Sequence, residues 1–151
     1  MPSFVIDSGR LAPAAIGRGA AVDEVVCRAV RGQVLELLPE DVFAVGWDQA
    51  PVPMLTAMDR AGRAIGVVVL SHLDPPRLTD LLSRAGRLGA ASWLATAERY
   101  PRGVGAFRRD WNAFRESAPA DAASPPALTI LTGEVHTEVA DAIGLLASIH
   151  R

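Results

Sequence analysis

Apolar residues at three- and four-residue spacing stand out first between Val22 and Leu38: Val22, Val25, Val26, Ala29, Val30, Val34, Leu37 and Leu38. That spacing puts one apolar stripe on a helix. Pro39 ends it, because proline lacks the amide that the next turn needs. Asp23 and Glu24 fall in the first turn, where the helix dipole favours negative charge. Three short apolar runs follow, Val42–Trp47, Met54–Met58 and Ile65–Leu70, each bounded by turn residues as strands are. Val67-Val68-Val69-Leu70 shows no polar alternation, which predicts a strand covered on both faces. Asp59-Arg60-Ala61-Gly62 joins the second and third runs as a hairpin turn. Pro51 and Pro53 put the start of the second strand near a sheet edge or after a bulge.

Outside this centre, Phe4-Val5-Ile6 predicts a short strand ended by Ser8-Gly9, and residues 11–20 read as a loop. Pro75 and Pro76 open a helix that Asp74 can cap, with Leu78, Leu81, Leu82, Ala85 and Leu88 as its buried stripe. A second helical piece holds Trp93, Leu94, Ala97 and Tyr100 and closes at Pro101. A third carries Val104, Phe107, Trp111 and Phe114, spaced as an inward stripe. Residues 117–126 are low in complexity and predict a flexible connection. The chain closes with a strand over Leu128–Leu131 and a helix capped by Thr132, with Val135, Val139, Ala142, Ile143 and Leu146 as its stripe. The order is β, α, β, β, β, α, α, α, β, α, without a repeat. Such a strand set needs helices on both faces, which gives an α/β fold: a three-layer α/β/α sandwich with a central mixed sheet. Its 151 residues make one domain, 1–151.

Composition narrows the chemistry. Half of the residues are hydrophobic and 21% are charged, enough apolar material for a core. No run of about 18 apolar residues exists, so no membrane span is expected. The N-terminus has no signal-peptide pattern and the chain has one cysteine, Cys27, so a cytoplasmic protein without disulfides is expected. All 15 basic residues are arginine. With no lysine, Schiff-base chemistry and a phosphate-loop lysine are both excluded. The net charge of −2 gives no global basic field for nucleic acid.

The ordered set of segments resembles the PD-(D/E)XK nuclease superfamily, the restriction-endonuclease-like fold, and in particular its uncharacterised bacterial members. Met1-Pro2-Ser3-Phe4 is similar to their Met-Pro-x-Phe start. Met54-Leu55-Thr56-Ala57-Met58-Asp59, then Ala61-Gly62-Arg63, then Val67-Val68-Val69-Leu70-Ser71 stand where those chains read Asp-Leu-Leu-Ala-Leu-Asp, Asp-Gly-Arg and Val-Glu-x-Lys. In the resemblance their Ala-Leu-x-Tyr-Ala helix falls near Leu81–Leu88. Leu128–Leu131 with Thr137-Glu138-Val139-Ala140-Asp141-Ala142 is similar to their final strand and Pro-Glu-Val-x-x-Ala helix. The resemblance implies a core of one helix, a three-stranded meander, a helix and a further strand. It also implies a Mg²⁺ site of two carboxylates beside a lysine that orients water. Here the second-strand Asp falls at Met54, the third-strand Glu at Val68 or Val69, and the Lys at Leu70 or Ser71. Glu24 alone can stand for the helix-borne acid, and a Met54 thioether is too soft a donor for Mg²⁺. The resemblance therefore implies an inactive nuclease-like domain with no cofactor, acting through a protein partner or as a homodimer. Mg²⁺ is expected only if that inactivity is wrong.

Two other readings follow from the residues. A relocated enzyme site can form from Ser71, His72 and Asp74 past the third strand, His72 being the general base or a ligand, with Asp48 and Asp59 flanking the second strand. The plainer alternative is that these residues end a strand and cap a helix. A non-cleaving nucleic-acid module can use the arginines at 99–115: Arg99, Arg102, Arg108, Arg109 and Arg115. Arg108 and Arg115 share a helix face with Asn112, and Asp110 and Glu116 are partial partners on a solvated surface. His136 between Glu134 and Glu138 can touch a cation, or simply belong to a solvated first turn. Cys27 is expected in the core rather than as a nucleophile.

Overall fold

A computed structural model describes residues 3–7, 10–14, 22–49, 51–117, 119 and 123–149. The elements are β1 (Ser3–Asp7), β2 (Arg10–Ala14), α1 (Glu24–Gly32), α2 (Val34–Leu37), β3 (Phe43–Asp48), β4 (Met54–Met58), β5 (Ala64–Leu73), α3 (Pro75–Ala90), α4 (Trp93–Ala97), α5 (Gly103–Ser117), β6 (Leu128–Val135) and α6 (Thr137–Ile149). The class is α/β. One sheet is the β1-β2 pair, and the other has the order β3-β4-β5-β6. In the larger sheet β3, β4 and β5 run antiparallel. β6 runs parallel to β5: Gly66 N–H donates to the Ala127 carbonyl, and further along both strands in the same direction His136 N–H donates to the Leu73 carbonyl. The sheet is therefore mixed.

The chain divides into two compact units, residues 1–34, 69–81 and 131–151 in one, 35–68 and 82–130 in the other. In the second unit the meander carries the core. All five residues of β4 are buried, and Ala64–Val68 of β5 likewise. Met54, Thr56 and Met58 share one face of β4, while Leu55 and Ala57, on the other, are as deeply buried at 2% and 0%. Over the first face lies an aromatic cluster of Phe43, Trp93, Tyr100, Phe107, Trp111 and Phe114, with Val45, Met58, Ala97 and Val104. Phe107 is fully buried, and its ring sits 5.2 Å from Trp93, 5.7 Å from Phe43 and Tyr100, and 6.4 Å from Trp111.

Two glycines are dictated by geometry. Gly62 (φ +86°) closes the hairpin, its N–H donating to the Asp59 carbonyl, a left-handed backbone that glycine adopts without steric cost. Gly46 lies at a break in the β3–β4 register, where a Cβ would stand 3.0 Å from the Arg99 carbonyl oxygen. Backbone cannot retreat as a side chain can. Gly46→Ala is therefore expected to cost about 1–3 kcal/mol, read as a lower midpoint in urea unfolding; an unchanged midpoint would show that the turn at Arg99 gives way.

Several expectations need correction. The helix expected from Val22 to Leu38 breaks at Gln33, which caps α1, because Gly32 is a poor helix former just before it. Asp23 is the N-cap, accepting from Val26 N–H at 3.0 Å. Residues 11–20 contain β2 rather than only a loop; Arg10–Ala14 pairs with β1, and residues 15–20 lie outside the described residues. Of the connection expected at 117–126, residues 118 and 120–122 also lie outside them. The last strand runs on to Val135, since β5 continues beside it, so Thr132 caps no helix and donates instead to the Glu134 carbonyl. Val139 is buried, but Val135 and Ile143 are 43% and 46% exposed, and the Leu146 side chain lies outside the described residues. In α3 the buried positions of the last three turns are Leu81, Arg84, Ala85 and Leu88, while Leu82 is 53% exposed. These four obey the i, i+3, i+4, i+7 rule, which admits Arg84 and excludes Leu82. Leu94 of α4 is also half exposed.

Candidate functional site

The strand pairing decides what occupies the place where the resemblance puts nuclease chemistry. Met54 and Val68 are register partners across β4 and β5. Residues directly opposite in an antiparallel pair project to the same face, so Val68, not Val69, accompanies Met54. Leu70 follows two residues on, and Ser71 alternates away. Where two acids and a lysine are implied, the chain has Met54, Val68 and Leu70, at 2%, 0% and 6% exposure. Glu24, 65% exposed, bonds Arg31 at 2.6 Å, and Arg31 donates on to the Val69 carbonyl at 2.9 Å.

Beside Met54 lies a cavity of about 70 Å³, lined by Asp48, Met54, Thr56, Arg84, Arg87, Leu88 and Arg99. Arg84 is buried at 7% exposure on α3. It donates to the Val52 carbonyl at 2.8 Å and to Asp48 Oδ2 at 3.3 Å. Arg99, in the turn after α4, donates to the hydroxyl of Thr56, itself 2% exposed, at 3.4 Å. Arg87, one turn after Arg84, is exposed and reaches Ser83 Oγ at 3.0 Å. Of this group the sequence reading named Asp48 and Arg99 and missed Arg84 and Arg87. The signal was the position of Arg84 within the buried spacing of α3.

Ser71 and His72 are successive residues of β5, so their side chains leave opposite faces. Asp74 caps α3, accepting from Arg77 N–H and from Arg77 Nη1, both at 2.9 Å. His72 has other company. Its Nδ1 lies 3.7 Å from Glu134 Oε2, and its ring meets His136 edge-on at 6.3 Å. Parallel β5 and β6 thus bring His72 together with Glu134 and His136 at one sheet end. His136 Nδ1 accepts from Glu138 N–H at 3.4 Å. Among the described residues no three His, Cys, Asp or Glu are grouped to hold a metal ion. Asp59 is buried within the hairpin, where its carboxylate accepts from Arg63 N–H at 2.9 Å and Nε at 3.1 Å.

The arginines of 99–115 do not form one open face. Arg102 and Arg109 both reach Asp110, at 3.1 and 3.4 Å. Arg108 lies over Trp93 at 5.4 Å and Arg115 over Trp111 at 4.8 Å. An open hollow of about 410 Å³ is lined by Arg60, Ala61, Asn112, Arg115 and Glu116. Its two arginines are tied to the Pro119 carbonyl and to the Trp111 ring, and Glu116 offsets their charge.

Asp110 also accepts from Tyr100 Oη at 2.9 Å. Burial first, then this hydrogen bond and the Asp110 charge, push the Tyr100 phenol above its ordinary value. The fold therefore holds the neutral phenol. The stability this contributes is present below the unfolded value of about 10 and is lost as pH rises through the folded one. Tyr100→Phe is expected to show a shallower loss of stability than the parent chain as pH rises above about 10; equal slopes would dismiss the role of the phenol. Cys27, fully buried in α1, has its thiol pushed up by that burial, which suits a core residue rather than a nucleophile.

No helix among the described residues is long and apolar enough to cross a membrane. Comparison with protein-family models, with curated proteins and with solved structures finds no match to the chain.

Proposed function

We propose that this chain is a catalytically silent PD-(D/E)XK-like domain, a three-layer α/β/α sandwich that works in the cytoplasm by binding a protein partner or a second copy of itself. The element order α1, β3-β4-β5, α3, β6 supports the likeness, as does the burial of β4 and β5 on both faces. One observation carries the silence: Met54 and Val68, facing register partners, are both buried and apolar where metal-binding carboxylates are implied. A hard divalent cation needs oxygen donors, and the chain has no lysine to help activate water. The arginines at 99–115 support nucleic-acid binding less well, since Asp110 pairs with two of them and aromatic rings hold two more.

The test is an incubation with labelled duplex and single-stranded DNA at two salt concentrations, with and without Mg²⁺. The expected result is unchanged strand length in every lane. Mg²⁺-dependent shortening would overturn the proposal. Retarded mobility that weakens with salt would move the binding role from a protein to nucleic acid.

A further inference from the structure

We propose that the cavity lined by Thr56, Arg84, Arg87 and Arg99 is a binding site for one terminal phosphate group, either inorganic phosphate or a phosphate monoester. The inference stands on the cluster itself and not on the likeness to nucleases. Three arginines and one aspartate are among the residues lining the cavity, an excess of two positive charges that a dianionic phosphate balances. Guanidinium forks match phosphate oxygens in geometry as well as charge. A cavity of about 70 Å³ has room for one tetrahedral group. An internal phosphodiester brings only one charge and two bulky substituents.

The site is built before any ligand arrives. Arg84, more than nine-tenths buried, is fixed by the Val52 carbonyl and Asp48, so little side-chain freedom remains to be lost on binding. Arg99 is steered by the buried Thr56 hydroxyl. Met54 and Leu88 form an apolar wall, which strengthens electrostatic attraction by excluding water. Asp48, half exposed, is the one anion among the described residues of the lining, and it competes with a phosphate for Arg84.

That competition makes a test with opposite signs. Inorganic phosphate is titrated calorimetrically into the full chain, with ionic strength held constant by chloride. Arg87→Gln and Arg99→Gln are each expected to weaken binding about tenfold or more, as loss of a charge-assisted hydrogen bond does. Asp48→Asn is expected to tighten it several-fold. A purely structural role for the cluster predicts no such gain. Arg87 is exposed, so its variant leaves the core untouched, and circular dichroism checks that each variant folds. Parallel titrations with a nucleoside 5′-monophosphate, and with 5′-phosphorylated and 5′-hydroxyl oligonucleotides, distinguish the source. Tighter binding of either phosphorylated probe than of inorganic phosphate assigns a monoester; the reverse assigns the free ion. No binding of any phosphate, or binding that Arg87→Gln and Arg99→Gln both leave unchanged, would overturn the proposal. DNA cleavage is a separate measurement, so either proposal can fail alone.

Discussion

Phe107→Ala is expected to destabilise the protein by about 3–5 kcal/mol, the largest loss of any single truncation in the aromatic cluster. The ring is fully buried and contacts aromatic neighbours on four sides, three of them edge-on. Edge-to-face pairs add about 0.5–1.5 kcal/mol each beyond the area they bury. The cavity left behind cannot close easily, because Phe43, Trp93, Tyr100 and Trp111 come from β3, α4, the turn after it and α5. Chemical denaturation monitored by tryptophan fluorescence reads the effect directly, since Trp93 and Trp111 flank the ring. A loss under about 1 kcal/mol would mean that these elements collapse onto the gap and that the cluster is not the keystone of its unit.

The second large effect concerns the site proposed to be silent. Val68→Glu restores a carboxyl where the resemblance implies one, at a position with no exposure at all. Burial raises such a carboxyl's pKa by about 3–5. At pH 7, about 2.7 pH units above the unfolded value of about 4.3, keeping that carboxyl protonated in the fold is therefore expected to cost about 4 kcal/mol. The sign with pH follows. A raised folded value means that the carboxyl is neutral in both states below about pH 4, where the added penalty is least. The penalty grows as pH rises towards the folded value. Urea unfolding of the variant at pH 3.5 and 7, each compared with the parent chain, measures this. If the variant were as stable as the parent at pH 7, and millimolar Mg²⁺ stabilised it further, a latent metal site would exist and the proposed silence would be wrong.

Much of this architecture was legible in the chain. The runs at Val42–Trp47, Met54–Met58 and Ile65–Leu70 became β3, β4 and β5 because short apolar runs between turn residues have few other ways to bury themselves. The stripe Val104, Phe107, Trp111, Phe114 became the inner face of α5. The turn at Asp59–Gly62 was readable because only glycine holds its last position cheaply. Where the structure departs from these expectations, the causes differ. Leu82 was chosen for its side chain, whereas Arg84 occupies the buried spacing. Thr132 looked like a cap because nothing local announces that β5 continues beside it.

The absence of lysine, the apolar identity of residues 54, 68 and 70, and the helix and strand periods are properties of the sequence alone, since composition and local spacing require no partner. Pairing required the fold. Which of Val68 and Val69 faces Met54 depends on a cross-strand register, and a shift of one residue reverses every side chain. The meeting of His72 with Glu134 and His136 depends on β6 running parallel to β5. Arg84, Arg87 and Arg99 lie on α3 and the turn after α4, and line one cavity with Thr56 only once those elements pack beside β4. The charges were written in the sequence, but their convergence is a long-range contact, and only tertiary packing brings such residues together.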